Sequence, residues 1–125
     1  MFKLINDIES YPQFVPGCTA ARVESRTPTE IVATLCVRRG PLRTEFTTRN
    51  ELEPERRIHL QQVRGPFSVL EGEWTLTPLG QNGCTIELTI RFAFASRLAA
   101  LFFEPLFQDT AASLMDAFVA RATAR

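Results

Sequence analysis

Histidine is almost missing from this sequence: His59 stands alone among 125 residues. A Ser-His-Asp or Cys-His constellation would have to use it, so nucleophilic catalysis of those types has one candidate base. His59 falls in a strand pattern of ambiguous facing and reads as an ordinary strand residue. Cysteine is scarce as well. Cys18, Cys36 and Cys84 are odd in number and far apart, which excludes a C-x-x-C redox pair and a disulfide framework. Local zinc-ligand spacing is absent too, and the three are expected to be reduced thiols, small and core-packed. There is no G-x-S-x-G, no G-x-G-x-x-G and no P-loop. No run of 18 uncharged apolar residues occurs, so no membrane-crossing helix is expected. The opening M-F-K-L-I-N-D-I carries an early acid and no small-residue cleavage site, so no secretory signal is expected. A cytoplasmic protein is the default expectation.

Lysine is nearly absent, with Lys3 alone, yet basic and acidic groups balance at 14 each. Balanced charge excludes bulk attraction to nucleic acid and leaves room only for a local arginine patch. Arg38, Arg39 and Arg43 surround the turn Gly40-Pro41. They read either as solvated strand ends or as contacts for an anionic partner such as ribosomal RNA or a lipid headgroup. Glu71 and Glu73 share the charged face of one strand, a weak paired-carboxylate pattern.

What is present is a patterned, phenylalanine-rich chain with the length for one domain, residues 1–125. Residues 2–9 have helical spacing, and Pro12 should stop that helix before Tyr11. One more turn, 13–15, is expected between Pro12 and Pro16. Strand patterns follow at 21–26, 30–39, 42–52, 57–64, 67–79 and 85–95. Gly-Pro pairs, Pro54 and the turn Gly80-Gln81-Asn82-Gly83 separate them. Inward faces carry Ile31, Ala33, Leu35 and Val37, then Phe46, Thr48, Asn50 and Leu52. The phase flips at Val69-Leu70, which predicts a bulge. After Ser96, an N-cap candidate, the period changes to 3.6. Leu98, Leu101, Phe102, Pro105, Leu106, Leu114, Met115 and Phe118 form one stripe, and Pro105 should kink or break the helix.

Six antiparallel strands with one polar face need a cover, and only the last helix is large enough. The expectation is an α+β grip: a curved antiparallel sheet closed by a long carboxy-terminal helix. Such a fold leaves interior space. The candidate lining is Leu35, Phe46, Phe67, Leu70, Trp74, Leu88, Phe92, Phe94, Leu101, Phe102, Leu106 and Phe118. Tyr11, Phe14, Val15 and Pro16 of D-I-E-S-Y-P-Q-F-V-P-G-C are placed at its mouth as a lid, or as a plug of one core end. Thr48, Asn50 and Gln62 would be its polar groups. Periodicity does not distinguish a filled core from a ligand cavity.

Several stretches resemble one family. They are D-I-E-S-Y-P-Q-F-V-P-G-C at 7–18, R-T-E-F-T-T-R-N at 43–50, G-P-F-S-V-L-E-G-E-W-T-L-T-P-L at 65–79 and A-F-V-A-R-A at 117–122. Together they span nearly the whole chain, which is similar to the coenzyme Q-binding START-domain group of the polyketide cyclase/START-like superfamily. The resemblance implies a helix-grip fold and no enzymatic activity or required cofactor. It also implies ubiquinone or a related polyprenyl lipid as ligand, in support of respiration. A bacterial toxin branch of the family implies instead binding to the large ribosomal subunit and a block of subunit association. A cyclase-like enzyme is the weaker alternative. Contact with the inner-membrane surface would suit a quinone carrier. Family members have a strand before the first helix; here Met1 stands where that helix begins. The strand is therefore expected to be missing, which leaves two alternatives: a start codon assigned too late, or an open edge at strand 85–95 that pairs with another chain, such as a second copy.

Overall fold

The computed structural model describes residues 1–39, 41–80 and 83–123, and within these not the side chains of Arg39, Leu42, Phe102, Leu106 and 109–112. Two helices and six strands follow in chain order: α1 (Phe2–Asn6), β1 (Cys18–Arg26), β2 (Glu30–Arg39), β3 (Leu42–Glu53), β4 (Arg57–Arg64), β5 (Phe67–Leu79), β6 (Gly83–Phe94) and α2 (Arg97–Thr123). A 3-10 turn, Ile8–Gln13, links α1 to the sheet. The sheet runs β1-β2-β3-β4-β5-β6, antiparallel throughout. This is the helix-grip α+β architecture the pattern predicts. Among the described residues β1 and β6 each have a strand neighbour on one side only.

Strand boundaries follow the breakers. Gly65, at φ 152°, reverses the chain between β4 and β5. A Cβ there would lie 2.5 Å from Gln62 Oε1 and 2.7 Å from the Phe46 Cβ, so glycine is required. Gln62 bridges this hairpin: its Nε2 donates to the Phe67 carbonyl at 2.8 Å, and Phe67 N–H donates to its Oε1 at 3.1 Å. Register shifts occur between Phe67 and Val69, between Thr47 and Thr48, and twice in β1. Such irregularities add twist, which curls the sheet around α2. The first matches the expected bulge, one residue early. The hairpin residues Gln81 and Asn82 lie outside the described residues.

Alternation places Ile31, Ala33 and Val37 of β2, Phe46 of β3 and Trp74 and Leu76 of β5 on the concave face, all buried. Thr34 and Thr47 are buried on the opposite face. Their hydroxyls lie 2.7 Å apart. Thr34 also donates to Glu24, whose carboxylate accepts from Arg64 Nη2 at 2.8 Å. Four strands are thus tied across the convex face.

Three expectations are corrected. The first helix ends at Asn6, because Asp7 leaves helical geometry at ψ 62°. Pro12 does not stop a helix; it sits inside the 3-10 turn, where its missing N–H forgoes only one bond. Pro105 does not break α2, which runs through it. Ser96 caps that helix, its Oγ accepting from Ala99 N–H at 3.0 Å.

Candidate functional site

Between the concave face and α2 lies a cavity of about 140 Å³. That is close to the volume of ~150 Å³ that admits a benzene ring in an engineered apolar core. Every strand contributes to its wall, and α2 closes it with Phe107, Leu114 and Phe118. From the amino terminus come Ile5, Ile8, Tyr11 and Val15.

Rings seal one end. Phe118, 1% exposed, meets Tyr11, Phe14 and Trp74 edge-on at 5.3, 5.1 and 5.1 Å. Edge-to-face contact suits the ring quadrupoles. Arg121 lies over the outer face of Phe14 at 5.4 Å and donates to Gln13 Oε1 at 2.6 Å, fastening α2 to the 3-10 turn. At the other end Phe107 packs on Phe67, Phe46 and Phe94 at 4.8, 5.6 and 5.7 Å. There Phe92, Phe94, Phe103 and Phe107 remain half-buried.

Of the residues expected at the cavity or its lid, Tyr11, Val15, Leu35, Phe46, Leu70, Trp74, Leu88, Phe92 and Phe118 do line it. Phe14, Phe67 and Phe94 stand behind the lining, each edge-on to a lining ring, Tyr11 for the first and Phe92 for the other two. Pro16 is exposed and points away from the cavity. Leu101 is a correction: it is 71% exposed. It precedes Phe103 by two residues, about 200° around a helix, so the Phe103–Phe107 side faces the sheet and Leu101 faces solvent. The α2 sequence is apolar on several sides, and the stripe read from periodicity holds at Leu114 and Phe118, which line the cavity, but fails at Leu98 and Leu101. Phe102 and Leu106 lie outside the described side chains.

Among the described residues the cavity lining contains no charged side chain. Its titratable groups are Tyr11 and Cys18, and both stay protonated at neutral pH. Burial pushes the Tyr11 phenol far up, and its hydroxyl donates to the Ile5 carbonyl. Burial likewise pushes the Cys18 thiol up to about 11. Neither group is poised to exchange a proton there.

Polar function inside the cavity rests on β3. Thr48 and Asn50 are 7% and 8% exposed and both line it. Thr48 Oγ1 donates to Asn50 Oδ1 at 2.8 Å. Gln62, expected inward, commits its amide to the β4–β5 hairpin and is not part of the cavity. Cys18, Ile58 and Phe107 were not singled out for the cavity by the sequence pattern; inward phase on β1 and β4 was too weak to show the first two.

His59 lies on the convex face, 3.6 Å from Glu71, and Glu73 pairs with Arg57 at 3.5 Å. The two carboxylates thus face different partners on the convex face, outside the cavity. Among the described residues no His/Cys/Asp/Glu group could hold a metal ion. No helix is long and apolar enough to cross a membrane. Glutamates partner Arg22, Arg26, Arg49, Arg56, Arg57 and Arg64. Arg38 and Arg43 are exposed on the β2–β3 hairpin, opposite one another in register, and the Arg39 side chain is outside the description.

Three comparisons bear on this geometry. Residues 1–119 match the family model described as polyketide cyclase/dehydrase and lipid transport. The ribosome association toxin RatA of Escherichia coli K12 is 42% identical over 122 residues, 98% of this chain and 77% of that one. The mitochondrial coenzyme Q-binding protein COQ10 of Drosophila melanogaster is 29% identical over 112 residues, 83% of this chain and 46% of that one. Among solved structures, the ZhuI aromatase/cyclase from Streptomyces sp. R1128 superposes with a TM-score of 0.82 at 18% identity, covering 98% of this chain and 84% of that one. That likeness is one of fold.

Proposed function

The chain belongs to the polyketide cyclase/dehydrase and lipid transport family, and from that premise we propose that it is a non-enzymatic protein that associates with the ribosome, as the relative's name, ribosome association toxin, says of that protein, and that the large subunit is what it binds. The observation that carries this reading is 42% identity across 98% of the chain, lid motif and final helix included. The surface supports it. Arg38 and Arg43 are both exposed and stand opposite one another in register on the β2–β3 hairpin, two guanidinium groups on one projection that an RNA phosphate backbone can meet. The absence of a proton-exchanging group in the cavity supports a non-enzymatic role.

The test is co-sedimentation with purified large subunits across a salt series. Binding is expected to weaken as salt rises, and Arg38→Glu/Arg43→Glu is expected to weaken it at least tenfold with an unchanged melting curve. Salt-independent binding, or full binding by the double variant, would overturn the hairpin's role; no binding by the parent protein would overturn the reading.

A second reading concerns the cavity: it binds a neutral apolar ligand, for which a polyprenyl quinone such as ubiquinone is the candidate. The enclosed, ring-lined space and the COQ10 relative favour it. At about 140 Å³ the cavity takes a ring, so a polyprenyl tail would have to leave past the half-buried Phe103–Phe107 side. Burying the tail would supply roughly 25 cal/mol per Å². Mass spectrometry of protein purified from its own host is expected to show an extractable quinone. An empty protein that also fails to take up added quinone from detergent would sink this reading.

A further inference from the structure

Asn50 and Gln62 are carboxamides on adjacent strands, and only one of them is satisfied. Gln62 uses both ends of its amide across the hairpin. Asn50 uses one: its Oδ1 accepts from Thr48. Among the described residues nothing accepts from its Nδ2. Nor is that nitrogen sealed into packing: among the described residues the one occluded side-chain atom without a partner is Asn6 Oδ1, elsewhere. The Asn50 amide therefore opens into the cavity it lines, with two N–H donors free. The residue is only 8% exposed, and a ligand that displaces water from the amide without offering it an acceptor would leave the donor unpaired at a cost of about 1–3 kcal/mol. Thr48 Oγ1 engages the Oδ1 end of the amide, which leaves the Nδ2 end unengaged.

We propose that Asn50 is the polar recognition point of the cavity and selects a neutral ligand bearing a hydrogen-bond acceptor oxygen, a ketone or quinone carbonyl, on a ring-sized group. This inference rests on the reading of the cavity as a ligand site. The lining argues for the ligand class. Among the described residues it holds no cation, so a carboxylate or phosphate would enter without a counter-charge from them and at high desolvation cost. A pure hydrocarbon would fill the space and leave Nδ2 unpaired. A neutral carbonyl satisfies both conditions. Thr48 is a positioning residue, acting through Asn50.

The experiment compares two probes that differ in one group: hexanophenone, and hexylbenzene, in which the carbonyl is replaced by a methylene. Calorimetry with the intact protein is expected to show the ketone binding about threefold to tenfold tighter than the hydrocarbon. In Asn50→Leu that preference is expected to vanish while hexylbenzene binding is kept. The infrared carbonyl stretch of bound ketone is expected to shift to lower frequency in the parent protein and not in the variant, a change that a merely structural role for Asn50 would not produce. Equal affinity for the two probes in the parent protein overturns the role of Asn50 and leaves the cavity reading standing. Binding of neither probe overturns the cavity reading and this inference with it. The parent comparison needs no variant to fold; Thr48→Val supplies a second variant, expected to lower the preference partway.

Discussion

The two ends of the cavity are built from the same residue type and differ in how the helix meets them. At the Phe118 end, α2 drives one fully buried ring into a nest of Tyr11, Phe14 and Trp74, and Arg121 ties the helix to the 3-10 turn. At the Phe107 end, α2 lays half-buried rings across a phenylalanine patch while Leu98 and Leu101 face solvent, 65% and 71% exposed. One end is a clasp and the other a flap. Aromatic content alone does not distinguish a fixed wall from a movable one; the depth to which the helix sinks does.

Phe118→Ala should give the largest effect, a loss of about 3–5 kcal/mol in urea unfolding, because the ring is fully enclosed. Phe107→Ala should cost roughly half as much and should speed ligand exchange, read by stopped-flow. Equal losses at the two positions would break the contrast between clasp and flap. Next in size is an alkaline effect confined to the clasp end. Tyr11 and Cys18 are held protonated by burial, so the native state keeps protons that the unfolded chain releases. Stability should therefore be level below the ordinary thiol value of 9.0 and fall as pH rises from there through about 11. Chemical denaturation at pH 7 and pH 10.5 checks the sign, and Tyr11→Phe/Cys18→Ala should flatten the slope. The smallest effect belongs to the convex face, remote from both ends. The Thr34 hydroxyl and the Arg64 guanidinium hold the Glu24 carboxyl below its ordinary 4.5. A group lowered in this way adds stability above 4.5 that is lost as pH falls through its folded value. Glu24→Gln should make the acid limb of the stability profile shallower and leave exchange at the flap unchanged.

Most of the fold was legible because its punctuation is strong. β2, β4 and β5 begin and end where Gly-Pro pairs and Pro54 predict, and strict alternation identified the concave face. The resemblance of four motifs pointed to the family that the model match and the RatA relative then showed. The helix face was less legible. With Leu98, Leu101, Phe103, Phe107 and Val119 spread around α2, no single stripe dominates, and only packing against the sheet selects Phe103 and Phe107. The polar interior was half legible. Alternation puts Thr48, Asn50 and Gln62 on inward strand phases alike. Which amide is satisfied depends on a turn five residues away for Gln62 and on a neighbour two residues away for Asn50. No periodicity encodes that difference.

The enclosed void has a mechanical consequence. A space of about 140 Å³ per molecule equals roughly 84 mL per mole, and the volume lost on unfolding scales with such internal space without equalling it. Hydrostatic pressure should therefore unfold this protein more readily than a solid-cored domain of its size. A bound ring that fills the void should restore resistance, so the pressure midpoint becomes a gauge of occupancy that needs no label on either molecule.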